Sequence, residues 1–160
     1  MAGGQGGHRY AVRVIWTGNR GSGTSHYRSY GRDLTIAADG KPDIPGSADT
    51  AFRGDADRWN PEELLVAALS SCHQLAYLHL CAVAGIRVVA YRDDAAGTMV
   101  TDAASGSGRF SSVTLRPHVT IRAGDDAERA RQLHHEAHTA CFIANSVNFP
   151  VGHEATIHLE

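Results

Sequence analysis

The length, composition and charge of the chain are those of an ordinary globular domain, and they exclude several classes of protein. It has 160 residues, of which 42% are hydrophobic and 20% charged, enough for one compact domain with its own core. A formal net charge of −2 leaves no basic surface for nucleic acid or acidic lipids.

The N-terminus, MAGGQGGHRY, lacks the apolar core of a signal peptide. We also expect no apolar run to be long and uninterrupted enough to span a membrane. The sequence therefore predicts a cytoplasmic protein with a single domain over 1–160, a flexible tail over 1–8, and neither nucleic acid nor membrane as a partner.

The first third of the chain predicts two strands followed by a long loop. Apolar and polar residues alternate over 9–17 and 24–37, which is typical of a hairpin or meander. Two prolines and several glycines and aspartates over 38–59 argue against a regular element there. A loop of this length in a small domain is often functional, and this one carries Arg53 and Arg58.

A long helix over 60–85 is the central element of the prediction. Asn60 is a good N-cap, Glu63 can bond back to it, and Gly85 is typical of the position just after a helix. Apolar residues occur on more than one side of nearly every turn, which predicts burial on most faces. The polar patch Ser70–His73 interrupts this apolar surface.

The remaining elements give the chain the order ββ–α–ββ–α–β, which predicts an α+β fold. The segment over 93–108 is polar and glycine-rich and gives no predicted element, and Pro117 suggests an edge strand or a bulge. The predicted elements are strands over 86–92, 109–122 and 154–159 and a helix over 126–140.

Two of the three cysteines are candidates for chemistry. Cys72 lies in the polar patch, where a cation from Arg53 or Arg58 would favour its reactive thiolate, although a buried cysteine is commonly only a small apolar residue. Cys141, at the predicted end of the second helix, could resolve an oxidised Cys72 by forming a disulfide. Cys81 lies ~13 Å further along the same helix as Cys72 and is predicted to be core.

Two glutamates begin the central helix. Glu63 is explained by capping, whereas Glu62 could orient an arginine. Ten residues of straight helix, however, place Glu62 ~15 Å from Cys72. Either the helix is broken near Ser70, or a partner comes from a second subunit.

Three histidines, His134, His135 and His138, allow a metal pair four residues apart. No third ligand or general base follows at a spacing typical of metal helices, so we expect no metal site.

Two segments resemble the OsmC/Ohr superfamily. NPEELLVAALSSCH resembles its helix start and peroxidatic segment, and AHTACFIANSVNFPV resembles its resolving-cysteine segment. GTSHYRSYGRDL and FRGDADRWNPEELL resemble the OsmC-like branch. The resemblance implies antiparallel sheets packed on a long buried central helix, in an intertwined homodimer with two sites at the subunit interface.

The resemblance also implies a thiol-dependent peroxidase that reduces organic hydroperoxides. The family's peroxidatic cysteine maps onto Cys72, its resolving cysteine onto Cys141 and its glutamate onto Glu62. No cofactor is implied; an external dithiol, such as the lipoyl group of a lipoylated protein, would be the reductant. Apolar surroundings would favour fatty or aromatic hydroperoxides, and the residues expected to form them are Leu69, Leu75, Phe142 and Phe149.

The family's arginine maps most directly onto Arg53, with Arg20 or Arg28 as the alternative if it comes from the N-terminal strands. Two other function classes stay open from the sequence. One is a hydrolase that uses Cys72 as an acyl nucleophile, for which adjacent His73 is a poor base because it points to a different helix face. The other is a non-catalytic protein that binds a small molecule.

Overall fold

The computed structural model describes residues 7–160, so most of the predicted tail over 1–8 lies outside the described residues. The chain divides into two compact units, Met1–Leu64 and Leu65–Glu160. The mixture of two α-helices with small sheets in the described chain confirms the predicted α+β class. The prediction of a single domain stays a prediction.

The first unit contains one antiparallel sheet in the order β1–β2–β3. Its strands are β1 (Arg13–Trp16), β2 (Leu34–Ala37) and β3 (Ile44–Gly46), and a 3-10 turn follows at Thr50–Phe52.

The sequence prediction for this unit needs two corrections. The strand predicted over 24–37 is formed only at its end, because the segment before it closes a local turn in which the Ser29 amide donates to the His26 carbonyl at 2.9 Å. The loop predicted over 38–59 is not free of regular structure, because β3 pairs with β2 through Pro45 and Thr35. Proline is tolerated there since β3 is an edge strand.

Helix α1 (Pro61–Val83) confirms the predicted central helix and both of its caps. The Glu63 amide donates to Asn60 Oδ1 at 2.8 Å, and the Asn60 amide donates back to Glu63 Oε2 at 3.3 Å. At the other end Gly85 adopts a left-handed φ of 72°, which is costly for other residues. The helix is continuous between these caps, so the predicted break near Ser70 is wrong.

Helix α1, with 23 residues, is long and apolar enough to cross a membrane by length and composition, and an 18-residue window of it has a mean hydropathy of 1.4. The expectation that no apolar run has sufficient length is therefore wrong. The core helix of a soluble protein meets the same criterion, but only 22% of that window is buried in the single chain. Burial is confined to one face of α1 rather than to most of its faces, and that face is a stripe of residues four apart: Leu69, His73, Tyr77 and Cys81.

The second unit adds two three-stranded sheets and a second helix. The sheets have the orders β4–β7–β9 and β5–β6–β8, and each combines one antiparallel and one parallel pair. The elements are β4 (Val88–Asp93), β5 (Ala96–Asp102), β6 (Ser107–Leu115), β7 (Pro117–Ile121), α2 (Ala127–Ala140), β8 (Val151–His153) and β9 (Thr156–Leu159).

Two predictions for this unit are corrected. The segment over 93–108, for which no element was predicted, contains β5, because its small and polar residues pair with β6 on an exposed hairpin. The strand predicted over 109–122 is two strands in different sheets. The chain changes sheet at Arg116, whose amide donates to the Asp93 carboxylate at 2.6 Å instead of to a backbone carbonyl of a neighbouring strand.

The core of this unit consists of two apolar clusters that share α1. Tyr77 and Cys81 belong to the first cluster, with residues of α2 and of the β4–β7–β9 sheet. Leu69 belongs to the second, with Val113 and Leu115 of β6. His73 lies between them on the same helix face, so α1 presents one buried histidine where the two clusters meet.

Candidate active site

The residues of the polar patch of α1 point in different directions: His73 is buried, Ser70 and Cys72 are half-buried, and Ser71 is exposed. The Ser70 hydroxyl donates to Asp93 Oδ2 at 2.5 Å, and the other oxygen of Asp93 accepts from Arg116. The Ser71 hydroxyl donates to the Ala68 carbonyl one turn earlier at 3.3 Å. Both serines are thus used in structure, which leaves Cys72 and His73 as the chemical groups of the patch.

Cys72 and Cys141 are neighbours in the second unit. Cys72 is half-buried on α1, and Cys141 is the buried C-cap residue of α2. Burial raises the pKa of the Cys141 thiol, and the Cys72 thiol raises it further through a side-chain hydrogen bond and through charge. Both are free thiols, so the fold brings together the two cysteines that the sequence singled out.

The loop after α2 shapes the surroundings of Cys141. The Ala144 amide donates to Cys141 Sγ at 3.4 Å, and the Asn145 amide donates to the Cys141 carbonyl at 3.0 Å. A hydrogen bond from a backbone amide favours the thiolate over the thiol and acts against the effect of burial.

Cys81 confirms its prediction as a core residue. It is 1% exposed within the first apolar cluster, and burial raises the pKa of its thiol.

Arg53 and Glu62 both lie in the first unit and carry unusual features. Arg53 follows the 3-10 turn Thr50–Phe52 and has a left-handed φ of 67°, the only such non-glycine residue in 7–160. A backbone of this kind is strained for a residue with a side chain and is found more often at functional sites. Oε2 of Glu62 is buried and has no hydrogen-bond partner within the described residues.

Neither Arg53 nor Glu62 forms an ion pair within residues 7–160. Arg58 lies 3.9 Å from Asp33, a contact inside the first unit. The alternative arginines, Arg20 and Arg28, are exposed on the segment between β1 and β2. The choice of the activating arginine therefore stays a prediction.

A buried histidine pair is the feature that the sequence did not reveal. His73 Nε2 lies 3.0 Å from His134 Nδ1, and both residues are fully buried. The Tyr77 ring stacks on His134 at 3.8 Å between centres, and His153 of β8 lies 5.6 Å from His73. The four-residue spacing of the buried α1 stripe places His73 inward, but nothing in the sequence identifies His134 as its partner.

Burial controls the protonation of this pair. Burial, with a smaller effect from the charges of neighbouring histidines, lowers the pKa of His73 to about 4 and that of His134 to about 3. The two rings are therefore neutral at neutral pH. Among residues 7–160, no group of three or more histidine, cysteine, aspartate or glutamate residues is arranged to hold a metal ion.

The fold and the sequence are both similar to those of known proteins. An OsmC-like protein of unknown function from Vibrio cholerae is 31% identical, with 93% of this chain and 99% of that chain covered and a TM-score of 0.84. An organic hydroperoxide resistance protein from Elizabethkingia anophelis, crystallised with thiocyanate, is 20% identical over 96% and 99% of the two chains, with a TM-score of 0.66.

A third structure, of an organic hydroperoxide resistance protein from Legionella pneumophila, is 17% identical over 96% and 99% of the two chains, with a TM-score of 0.67. The last two likenesses show the fold. No protein with a curated description matches the chain. The family model of the OsmC-like proteins matches residues 54–155. Together with the Vibrio cholerae relative, this match shows that the chain belongs to the OsmC-like family within the OsmC/Ohr superfamily.

Proposed function

We propose that the chain is a thiol-dependent peroxidase that reduces organic hydroperoxides through a disulfide cycle between Cys72 and Cys141. The observation that carries this proposal is the interaction of the two thiols. A half-buried thiol on α1 beside a buried thiol at the end of α2 is what a peroxidatic and a resolving cysteine require. The family supports the same chemistry, since it includes proteins named for organic hydroperoxide resistance.

In the first step the Cys72 thiolate attacks the distal oxygen of the hydroperoxide. The O–O bond breaks, the alkoxide leaves and takes up a proton to become the alcohol, and Cys72 becomes a sulfenic acid. An arginine, which we assign to Arg53, stabilises the thiolate, and Glu62 orients that arginine. The strained backbone of Arg53 and the unpartnered buried oxygen of Glu62 support these two roles.

In the second step Cys141 attacks the Cys72 sulfur. The S–O bond breaks, and the hydroxide takes the proton of the Cys141 thiol and leaves as water, so the two thiols supply the two electrons that reduce the peroxide. An external dithiol, such as a lipoyl group, then returns two electrons and two protons to the disulfide. The cytoplasm, where such dithiols are kept reduced, is the compartment we assign.

The working form that we propose is a homodimer. Large apolar side chains on α1 and beside Cys141 are exposed in the single chain: Leu75 is 69% exposed, Val83 74% and Phe142 78%. Apolar surface of this kind marks interaction sites in soluble proteins. Because α1 is continuous, Glu62 and Cys72 of one chain cannot be brought together by a break in the helix. The remaining prediction is that a second subunit supplies the group that acts with Cys72 or Glu62. Sedimentation equilibrium tests this, and a monomer at micromolar concentration would contradict it.

The substrate class that we propose is fatty or aromatic hydroperoxides. Of the four apolar residues expected around the site, Leu69 is fully buried, so it supports the wall of a pocket rather than lining one. Phe149 packs on Phe110 with 5.3 Å between ring centres, and exposed Phe142 directly follows Cys141. A lower KM for cumene hydroperoxide than for hydrogen peroxide is expected.

Mass spectrometry after one equivalent of cumene hydroperoxide tests the cycle directly. The reduced protein should lose two hydrogen atoms and yield a peptide pair linked through Cys72 and Cys141. The matched control is Cys81→Ser, which keeps both proposed thiols and should give the same linked pair. Unmodified thiols would contradict the proposal, and turnover of an ester without peroxide would favour the hydrolase instead.

A further inference from the structure

The buried contact between His73 and His134 is a hydrogen bond along the ring planes. The planes differ by 5°, the ring centres are 5.3 Å apart, and the facing nitrogens are 3.0 Å apart. The distance between centres is close to the N–N distance plus one ring width, so the rings meet edge to edge. One N–H points directly at the other ring's lone pair, which is the geometry of a hydrogen bond rather than of two lone pairs converging on a metal ion.

This hydrogen bond joins the same two helices as the thiol contact. His73 directly follows Cys72 on α1, so the two side chains leave the helix about 100° apart. His134 precedes Cys141 by seven residues, close to two turns of helix, and therefore lies on the same side of α2. The two pairs together fix both the rotation of α1 and its position along α2.

The histidine pair resists separation because it has nothing else to bond. Each neutral ring has one N–H and one lone pair, so the pair shares a single hydrogen bond. The outer nitrogens, Nδ1 of His73 and Nε2 of His134, are buried and have no hydrogen-bond partner within the described residues. Separating the rings would leave each buried ring without any hydrogen bond, which is far less favourable than exposing it to water.

We propose that His73 and His134 are a positioning pair, which holds α1 and α2 in the register where the Cys72 and Cys141 thiols meet and so determines how readily their disulfide forms. The pair acts through helix position and carries no proton-transfer step. The proposal rests on the proposed function in that the two thiols are a redox pair, but the oxidant need not be a peroxide.

The groups around the pair make it sensitive to acid. Measured between ring centres, His153 of β8 lies 5.6 Å from His73, 6.0 Å from His134 and 6.0 Å from His138. Tyr77 stacks on His134, and none of the groups that shift the pKa of the pair is a carboxylate. No anion is therefore among the groups that could stabilise a charged pair. A first proton would keep the N–H···N hydrogen bond but bury a charge, and a second would place two N–H groups against each other and break it.

The equilibrium of the reduced protein with glutathione disulfide tests the proposal without peroxide. The protein's two thiols become one disulfide, and one glutathione disulfide becomes two glutathione thiols. At each position two substitutions of similar size are compared. His134→Asn and His73→Gln place an amide near the bonded ring nitrogen and can keep the hydrogen bond, whereas His134→Leu and His73→Leu cannot.

The leucine variants should shift this equilibrium toward the dithiol by roughly tenfold, as expected for a buried hydrogen bond left unmade. The amide variants should stay within about threefold of the unchanged protein on the same scale. His158→Leu is the matched control, because the His118–His158 pair, 6.1 Å between ring centres, joins β7 and β9 and should leave the equilibrium unchanged. Equal constants for the leucine and amide variants would overturn the proposal.

A second measurement needs no variant and decides the matter if the leucine proteins do not fold. If the hydrogen bond stabilises the disulfide, the disulfide must stabilise the hydrogen bond to the same degree. Exchange of the shared ring N–H with solvent, followed by nuclear magnetic resonance, should then be about tenfold slower in the disulfide form. The same exchange rate in both forms would overturn the positioning role.

The failures of the two proposals are distinguishable. If cumene hydroperoxide does not oxidise the thiols but the leucine variants shift the glutathione equilibrium, the peroxidase proposal is wrong and the positioning pair stands. If the peroxide cycle works but the leucine variants leave the equilibrium unchanged, the positioning pair is wrong and the peroxidase stands.

Discussion

Cys81 and Cys141 are equally buried, but their surroundings differ in a way that separates a core thiol from a candidate redox thiol. Each is 1% exposed, and burial raises the pKa of each thiol. Cys81 packs among apolar residues of the first cluster, where burial raises the pKa of its thiol against smaller opposing effects of Tyr77 and Arg129. Cys141 instead accepts a hydrogen bond from the Ala144 amide and has Cys72 as a neighbour.

The difference shows that burial alone says little about what a cysteine does. A thiol in an apolar cluster is a small apolar residue. A thiol that lies beside a second thiol and a backbone N–H donor can be oxidised to a specific disulfide, because the second thiol is its partner and the N–H donor favours its thiolate. Substituting each cysteine in turn, and then the residues around it, should show whether the two thiols differ in this way.

The largest effect is expected from the cysteines themselves. Cys72→Ser should abolish peroxide turnover, because serine cannot form a sulfenic acid, and Cys141→Ser should let Cys72 proceed to sulfinic and sulfonic acids. Cys81→Ser should keep turnover and lose ~1–3 kcal/mol of unfolding free energy, as a hydroxyl enters an apolar cluster. Coupled peroxide assays and urea unfolding measure the two effects. Full activity of Cys72→Ser would remove the distinction between the cysteines.

The next effect concerns the cation that Cys72 requires and Cys81 does not. Arg53→Gly should lower peroxide turnover by roughly 10²-fold, a typical loss for one electrostatic stabiliser. It should leave unfolding free energy unchanged or raise it by up to ~1 kcal/mol, because glycine adopts the φ of 67° without strain. Arg53→Lys is the control that keeps the charge. Full turnover in Arg53→Gly would point to Arg20 or Arg28.

Local chemistry decided which parts of the fold were predictable from sequence. The capping pair Asn60–Glu63 and the Gly85 terminus identified α1 because each requires only neighbouring residues. The second helix was predictable for the same reason, since the Arg129 amide donates to the Asp126 side chain at its start at 2.9 Å.

The features that could not be predicted depend on contacts between residues far apart in the sequence. Strand β5 is exposed over its whole length and carries little apolar alternation, so its pairing with β6 is decided by the hairpin rather than by its own residues. Both thiols of the candidate site were recognised by motif, and their pairing was expected from the family resemblance. Local chemistry alone does not show that contact, because it joins residues 69 apart through the packing of two helices. His134 was missed for that reason too: its role comes from His73, 61 residues earlier.

Acid should lower the free energy of unfolding through the buried pair of His73 and His134. Burial lowers the pKa of His73 to about 4 and that of His134 to about 3, from the ordinary value of 6.5. Below pH 6.5 the unfolded chain therefore binds more protons than the folded protein. Stability should therefore be fully present above pH 6.5 and fall as the pH is lowered toward 4, by up to ~1.4 kcal/mol per pH unit for each ring. Urea unfolding at successive pH values measures this. His73→Gln/His134→Asn, which cannot titrate there, should flatten the slope, and an unchanged slope would contradict the assignment.

The smallest effect belongs to the apolar cluster around Cys81, where a polar atom contributes little. The Tyr91 hydroxyl is buried and has no hydrogen-bond partner within the described residues, and its ring lies 6.0 Å from that of Tyr77. Tyr91→Phe removes this oxygen and keeps the ring, so unfolding free energy should stay the same or rise by up to ~1 kcal/mol. Turnover should not change, because this cluster is structural. A loss of more than ~1 kcal/mol would mean that the hydroxyl has a partner, and the cluster around Cys81 would then be less apolar than the comparison with Cys141 requires.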